Sequence, residues 1–343
     1  MRPSFFDHLH PPTIPAPQAR FRYTLGMGGL AVFLTLVVGF TGILVTFFYI
    51  PTPEQAAKSV QGLTFLVPYG WVCRNLHYWS AQLLILVAIL HLLRVVFTGA
   101  YLPPRRLNYL LGLSLLVTCL FLDFTGYALR WDAGVQWALV AGTNLIRSIP
   151  WVGEWFYLVL VGGSQVGAAT LIHFYAWHLF GLMIILVVIG VWHLFRVRRD
   201  GGIAVPPPEL RTTHERIKRK ELARREALAM LWAIIILVVL ALLVPAPLAP
   251  GIQEGSIFAS ENLAPWFFLW VQQLLKYGDP FIFGVLIPLG TLLIVALVPY
   301  ITSRRLSPAE LGRWFPRGGR NVQVLIAIIA GVIILLTLLA LLT

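Results

Sequence analysis

Seven runs of apolar residues, each long enough to cross a bilayer, constrain this chain more than any other feature. A spanning helix takes about 20 such residues. The runs are roughly Leu25–Ile50 (span A), Asn75–Phe97 (B), Leu107–Leu129 (C), Thr170–Phe195 (D), Ala227–Val244 (E), Pro280–Tyr300 (F) and Val322–Leu342 (G). Their continuity excludes a transmembrane β-barrel, whose strands alternate. Only 12% of the residues are charged, against about 25% in soluble domains. The fold class expected is therefore an all-α, multi-pass integral membrane protein. The net charge of +12 would suit nucleic acid, but no nucleic-acid motif is present, and the cations are segregated. Of the 26 Lys and Arg residues, 21 fall in the N-terminal segment and the B–C, D–E and F–G loops. That asymmetry puts the N-terminus in the cytoplasm, most simply of a bacterial cytoplasmic membrane, with the basic loops against anionic lipid headgroups. The first 24 residues hold Pro11, Pro12, Pro15 and Pro17 and no apolar core, so they do not read as a signal peptide.

The longest polar stretch between spans runs from Arg196 to Glu226. It divides a four-helix unit (1–205) from a three-helix unit (227–343), with 206–226 as a basic linker whose "HERIKRKELARRE" is expected to be helical. Two connections on the outer face are unusually long. The C–D connection carries Trp131, Trp137, Trp151 and Trp155 and is expected to form short helices at the membrane surface. The E–F connection contains "APWFFLWVQQLLK". Loops of this length are commonly functional.

Histidines are out of place in such helices. Span B carries His77 and His91, and span D carries His178 and His193, with His173 at its start. Fourteen helical residues advance about 21 Å and return to within about 40° of the starting direction. His77 and His91 therefore share a face near opposite membrane surfaces. The fifteen-residue gap on D leaves its pair about 60° out of alignment on an ideal helix. B and D run in the same direction, so His77 can face His178, and His91 can face His193. A lone intramembrane histidine ordinarily bonds a neighbouring helix or lines a proton path. Two pairs at matched depths suggest a cofactor site between helices. Two imidazoles are too few for zinc, but they suffice as axial ligands of haem. Arg74 and Arg94 flank the ligands at the depths where two propionates need cations. Gly28 and Gly42 on span A, and Gly112 and Gly126 on span C, repeat the fourteen-residue period. Such glycines suit ordinary helix packing, but the shared period suggests clearance for a flat macrocycle. The two cysteines, Cys73 and Cys119, read as packing residues, and without a CxxCH no covalent c-type haem is encoded.

The segments "WVCRNLHYWSAQ" and "LHLLR" on span B, "FTGYALRWD" at the end of C, "GGSQVGAATLIHFYAWH" at the start of D and "TFFYIPTPEQA" after A resemble the cytochrome b family of quinol oxidoreductases, the bc and b6f complexes. The resemblance is strong over residues 10–205 and weaker over 225–343, where the chain is similar to the three-helix partner subunit of b6f, here fused. It implies a four-helix dihaem bundle with two bis-histidine b haems: His77 and His178 towards the outer face, His91 and His193 towards the inner. Arg74 and Arg94 would hold propionates. Quinol would be oxidised at the outer face, near Trp131, Asp132, Pro265 and Trp266, and an inner quinone site would lie near Arg198 and the N-terminal segment. The implied partners are a Rieske-type iron–sulfur protein and/or a c-type cytochrome, in a multi-subunit, possibly dimeric complex.

The chain departs from the family pattern in informative places. Ala264, Pro265, Trp266 and Phe267 stand where Pro-Glu-Trp-Tyr is usual, so the proton-accepting carboxylate is missing. Glu261 and Asp123 are the candidates to replace it, Asp123 because an intramembrane carboxylate is costly and usually functional. Leu129, Arg130, Trp131 and Asp132 replace Leu-Pro-Trp-Asp, His173 replaces an arginine, and no cysteine precedes Cys73 to anchor an extra haem. The alternative reading is a quinone-reactive dihaem anchor of another redox complex that does not split the two electrons.

Overall fold

Each apolar run becomes a helix, because only a helix satisfies its backbone within lipid. In the computed structural model the described residues are 13–19, 25–202, 215–251, 263–301, 310 and 312–342. The spans are α1 (Met27–Thr46), α3 (Gly70–Phe97), α4 (Arg106–Ala128), α7 (Ala168–Arg199), α8 (Arg219–Leu243), α10 (Phe281–Ile301) and α11 (Arg320–Leu342). Between them lie α2 (Ala56–Phe65), α5 (Ala133–Arg147), α6 (Gly153–Val161) and α9 (Leu269–Leu274). Helices α5 and α6 are the short surface helices expected in the C–D connection. Two starts differ from the sequence reading. Helix α3 begins at Gly70, where the Leu63 carbonyl leaves no space for a Cβ, and so takes in Arg74. Helix α8 begins at Arg219, because nothing stops it at the membrane edge and Glu221 pairs with Arg225 one turn on at 3.0 Å.

The basic stretch expected to be wholly helical is not. Arg216–Lys218 (β2) pairs antiparallel with Thr13–Pro15 (β1), Ile14 opposite Ile217. Ile14, Leu222 and Ile217 form a small apolar cluster beneath this ribbon. These three-residue strands are the only strands among the described residues; Asp132 and Gly251 add one isolated antiparallel bridge.

Helices α1, α3, α4 and α7 form a bundle in which α1 packs on α3, α3 on α4 and α4 on α7. The C-terminal helices lie on its outside: α8 against α3 and α1, α10 against α4, and α11 against α3 and α10. The N-terminal end of α3 grips the C-terminal end of α8. Asn75 donates to the Ala241 carbonyl at 2.8 Å and accepts from the Ala246 N–H at 2.9 Å, and Trp79 donates to the Val244 carbonyl at 2.8 Å. Near the N-terminal end of α4 the Tyr109 hydroxyl donates to the Val295 carbonyl of α10 at 2.8 Å. The main core is a layer of Leu34, Leu84, Ile85, Val87, Cys119, Leu186, Leu237 and Phe267. Leu84 lies seven residues from both His77 and His91, and Cys119 seven from both Gly112 and Gly126. The α1, α3, α4 and α7 residues of this layer therefore lie between the two histidine levels and keep them apart.

Candidate functional site

Helix α7 is not a plain α-helix. Trp177–Gly181 forms a π turn, closed by the Leu182 N–H donating to the Trp177 carbonyl, with His178 inside it. A π turn takes up one extra residue. The fifteen-residue gap to His193 thus behaves as fourteen, and the misalignment expected on an ideal helix disappears. The Trp177 indole lies where a Cβ at Gly181 would sit, so the turn needs glycine there.

The rings of His77 and His178 face one another with centroids 6.5 Å apart and planes at 74°. A metal bonded to an imidazole nitrogen on each side, at about 2 Å, puts ring centres about 6 Å apart once roughly 1 Å from nitrogen to centroid is added at each end. His91 and His193 are likewise within electrostatic reach of one another. Three of the four rings are anchored by one device. Nδ1 of His77, His178 and His193 meets the carbonyls of Val38, Leu122 and Asn108 at 3.1, 3.0 and 3.1 Å. A carbonyl can only accept, so Nδ1 carries the proton and Nε2 keeps the lone pair that binds a metal. Thr41 and Thr125 add hydroxyl contacts at 3.2 and 3.0 Å.

Each anchoring carbonyl belongs to the residue four before a glycine, and that glycine clears the ring's edge. A Cβ at Gly42 would lie 3.0 Å from His77 Cε1, at Gly112 3.2 Å from His193 Cε1, and at Gly126 2.8 Å from His178 Cε1. At Gly28 the distance to His91 Cε1 is a looser 3.6 Å. The matching carbonyl for His91 would be that of Thr24, outside the described residues. The surface these four glycines make room for is therefore the imidazoles. His173 copies the device without a partner ring. Its Nδ1 meets the Leu160 carbonyl at 3.2 Å beside Gly162, which ties α7 to α6.

Among the described residues no group of three or more His, Cys, Asp or Glu is placed to hold a metal ion. Facing imidazole pairs instead fit a cofactor that brings its own equatorial ligands. The cations fit its carboxylates. Arg94 is buried, its Nε has no hydrogen-bond partner, and its terminal nitrogen is 3.5 Å from His91 Nδ1. The charge it feels is another cation, Arg105. Burial pushes Arg105 down to about 10, with Asp200 opposing. Asp200 is already held by Arg196 at 2.8 Å and Arg199 at 3.0 Å. An anion beside Arg94 would complete this level. Arg74 is also buried, and its guanidinium donates to the carbonyls of Ala246 and Pro247.

The outer-face residues separate into two groups. Asp132 is fully buried, is chelated by Arg130 at 2.7 Å, and accepts from the Ala249 N–H at 3.1 Å. Trp131 packs in a cluster with Ala56, Leu129, Leu139 and Phe174. Asp132 braces the C–D connection against the start of the E–F connection, where the Ala133 N–H also meets the Pro250 carbonyl at 2.8 Å. The other group surrounds Trp266, which follows Pro265. Its indole N–H donates to Gln82 Oε1 at 2.8 Å, and Gln82 Nε2 donates to Asp123 Oδ1 at 2.8 Å. Glu261 lies outside the described residues. At the inner side the half-buried Arg198 is within electrostatic reach of Glu226, whose carboxylate lies 3.6 Å from the Cβ position of Gly29, next to Gly28. Sequence reasoning missed Gln82 and Glu226. The signal for Gln82 was a full amide in the middle of an apolar run, five residues after His77.

Known proteins share this architecture. A family model described as "Cytochrome b/b6/petB" matches residues 14–201. A cytochrome b6 of Heliomicrobium gestii is 40% identical over 187 residues, covering 54% of this chain and 88% of that protein. One of Synechococcus sp. (strain CC9605) is 37% identical over 175 residues, covering 51% and 80%. A solved structure titled "Hyperthermophilic respiratory Complex III" superposes with a TM-score of 0.73 at 18% identity, covering 93% of this chain and 91% of that one. The curated sequences thus match the four-helix part, and the solved structure matches the fold of nearly the whole chain.

Proposed function

The chain belongs to the cytochrome b family, and from that premise we propose that it is the dihaem, quinol-oxidising subunit of a membrane quinol oxidoreductase. It takes one b haem between His77 and His178 towards the outer face and a second between His91 and His193 towards the inner. Quinol is oxidised outside, beside Pro265 and Trp266, and an inner quinone site lies by Arg198 and Glu226. The N-terminus is cytoplasmic in a bacterial membrane, on the side that holds 21 of the 26 basic residues. A Rieske-type protein, a c-type cytochrome or both are separate chains. The three-helix part, from Ala227 on, is the b6f partner subunit in fused form.

The observation that carries this reading is the 6.5 Å approach of His77 and His178, with Nδ1 protons fixed by carbonyls. When bound, haem supplies a one-electron carrier at each depth. The chain's own residues do the rest. The anchored imidazoles offer Nε2 in a fixed orientation. Arg94, and the remaining donors of Arg74, hold carboxylates in a medium where an unpaired charge is expensive. The apolar mid-layer excludes water between the levels.

One observation favours a second reading, the non-bifurcating anchor of another redox complex: the residue before Trp266 is Pro265, with no carboxylate. Purifying the native complex tests both. The expected result is two b-type components in the reduced-minus-oxidised spectrum, the outer one lost in His77→Ala with the inner retained. Absence of b-type bands would overturn the first reading. A molybdenum or multihaem subunit co-purifying in place of a Rieske protein would select the second.

A further inference from the structure

Three acids on the described chain, Asp132 and Asp200 buried and Asp123 half-buried, differ in what holds them. Asp132 is neutralised by Arg130, and Asp200 by Arg196 and Arg199. Asp123 takes part in none of the ion pairs among the described residues. It is held by the amide of Gln82, a neutral donor, at 2.8 Å. A carboxylate in an apolar helix with no cation beside it loses a buried charge on gaining a proton. Asp132 and Asp200 would instead break an ion pair.

Its position is equally specific. Asp123 precedes Gly126 by three residues, about 4.5 Å of helix, and Gly126 faces the His178 ring. Gln82 follows His77 by five. The amide therefore sits beside the outer imidazole pair, with both of its ends used. Its carbonyl accepts from Trp266, one of the residues by which the E–F connection reaches the bundle. Phe124, next to Asp123, packs edge-on against Phe268, two residues past Trp266, at 5.9 Å. The acid thus lies where the E–F connection closes over the bundle at the outer electron-accepting level. The other titratable groups within reach of Asp123 are Tyr78 on α3 and Cys119 on α4.

We propose that Asp123, positioned by Gln82 and capped by Trp266, is the base that takes the first proton from a quinol at the outer site. The inference rests on the quinol-oxidising reading. In the step, the O–H bond of one quinol hydroxyl breaks, an O–H bond forms at the Asp123 carboxylate, and the negative charge moves to the quinol oxygen. No electron moves until the anion exists. Gln82 is a positioning residue: its Nε2 orients Oδ1 and leaves the other oxygen to the substrate.

The test uses the purified complex with Asp123→Asn, Asp123→Glu and Gln82→Leu. Asparagine keeps an oxygen for Gln82 and removes only the base. The expected result is quinol oxidation reduced about 100-fold or more in Asp123→Asn, the scale of a lost general base, with haem content and spectrum unchanged. Asp123→Glu restores most of the rate. Gln82→Leu moves the pH profile of quinol oxidation upwards, because the carboxylate has lost the donor that favours its charged form; a merely structural bridge would not shift it. Full-rate oxidation by Asp123→Asn with an unaltered pH profile overturns the proposal and leaves the quinol-oxidising reading standing. A wild-type complex that binds both haems but oxidises no quinol overturns that reading first. Should Asp123→Asn fail to assemble, unchanged pH profiles in both other variants refute it.

Discussion

Placing one methyl group at each of the four bundle glycines in turn should produce a graded series of defects. At Gly126 an added Cβ lies 2.8 Å from His178 Cε1 and 3.4 Å from both ring nitrogens. Ordinary contact begins at 3.4 Å, so the ring or the helix must give way by 0.6 Å. The ring cannot simply slide, because its Nδ1 is held at 3.0 Å by both the Leu122 carbonyl and Thr125. Overpacking of this kind costs about 1–3 kcal/mol, a roughly 5- to 150-fold loss of affinity for whatever the ring ligates. The shortfalls at Gly42 and Gly112 are smaller, with contacts of 3.0 and 3.2 Å, and at Gly28 the 3.6 Å contact is already ordinary. Haem retention in Gly→Ala variants, read from pyridine haemochromes of the purified complex, should therefore fall in the order Gly28, Gly112, Gly42, Gly126, with Gly28→Ala close to wild type. Both outer-level variants should affect the component ligated by His77 and His178. Equal losses at all four positions, or a Gly28 variant as defective as Gly126, would refute the clearance argument.

Three further outcomes follow from the charges. Arg94→Leu should lower the midpoint potential of the inner b component by tens of millivolts, at about 59 mV per decade for one electron, and Arg94→Lys should recover much of the shift; redox titration showing an outer shift, or none, would contradict the placement. Asp132→Asn leaves the half-buried Arg130 without its counter-charge and should destabilise the complex by up to about 3 kcal/mol. Removing Glu154 from its solvent-exposed pair with Arg147 should cost far less, because water screens the pair, and thermal unfolding of the two variants compares them.

The number of spans and the pairing of His77 with His178 could be read from the sequence because they rest on run length and on 3.6-residue periodicity. The π turn at His178 could not. A fifteen-residue gap is indistinguishable in sequence from a misaligned helix, and only the Trp177–Leu182 hydrogen bond shows that the extra residue is absorbed. Gln82 meets its partner Trp266 across 184 positions, beyond any local pattern. Asp132 looked available for a ligand, yet Arg130, two residues away across a turn, and the Ala249 N–H both hold it. The β1–β2 ribbon joins two three-residue strands about 200 positions apart, too short for alternation to register.

The apolar layer around Leu84 and Cys119 also has an electrical meaning. It separates the two imidazole levels by about 21 Å along α3, some two-thirds of a hydrocarbon core about 30 Å thick. With a transmembrane potential applied, most of the voltage drops across this slab. A unit charge carried between the levels then does work of about 1.6 kcal/mol for every 100 mV, two-thirds of the full-membrane figure. Inward transfer of negative charge in an energised membrane, negative inside, is therefore uphill, and its rate should respond to voltage as well as to chemistry.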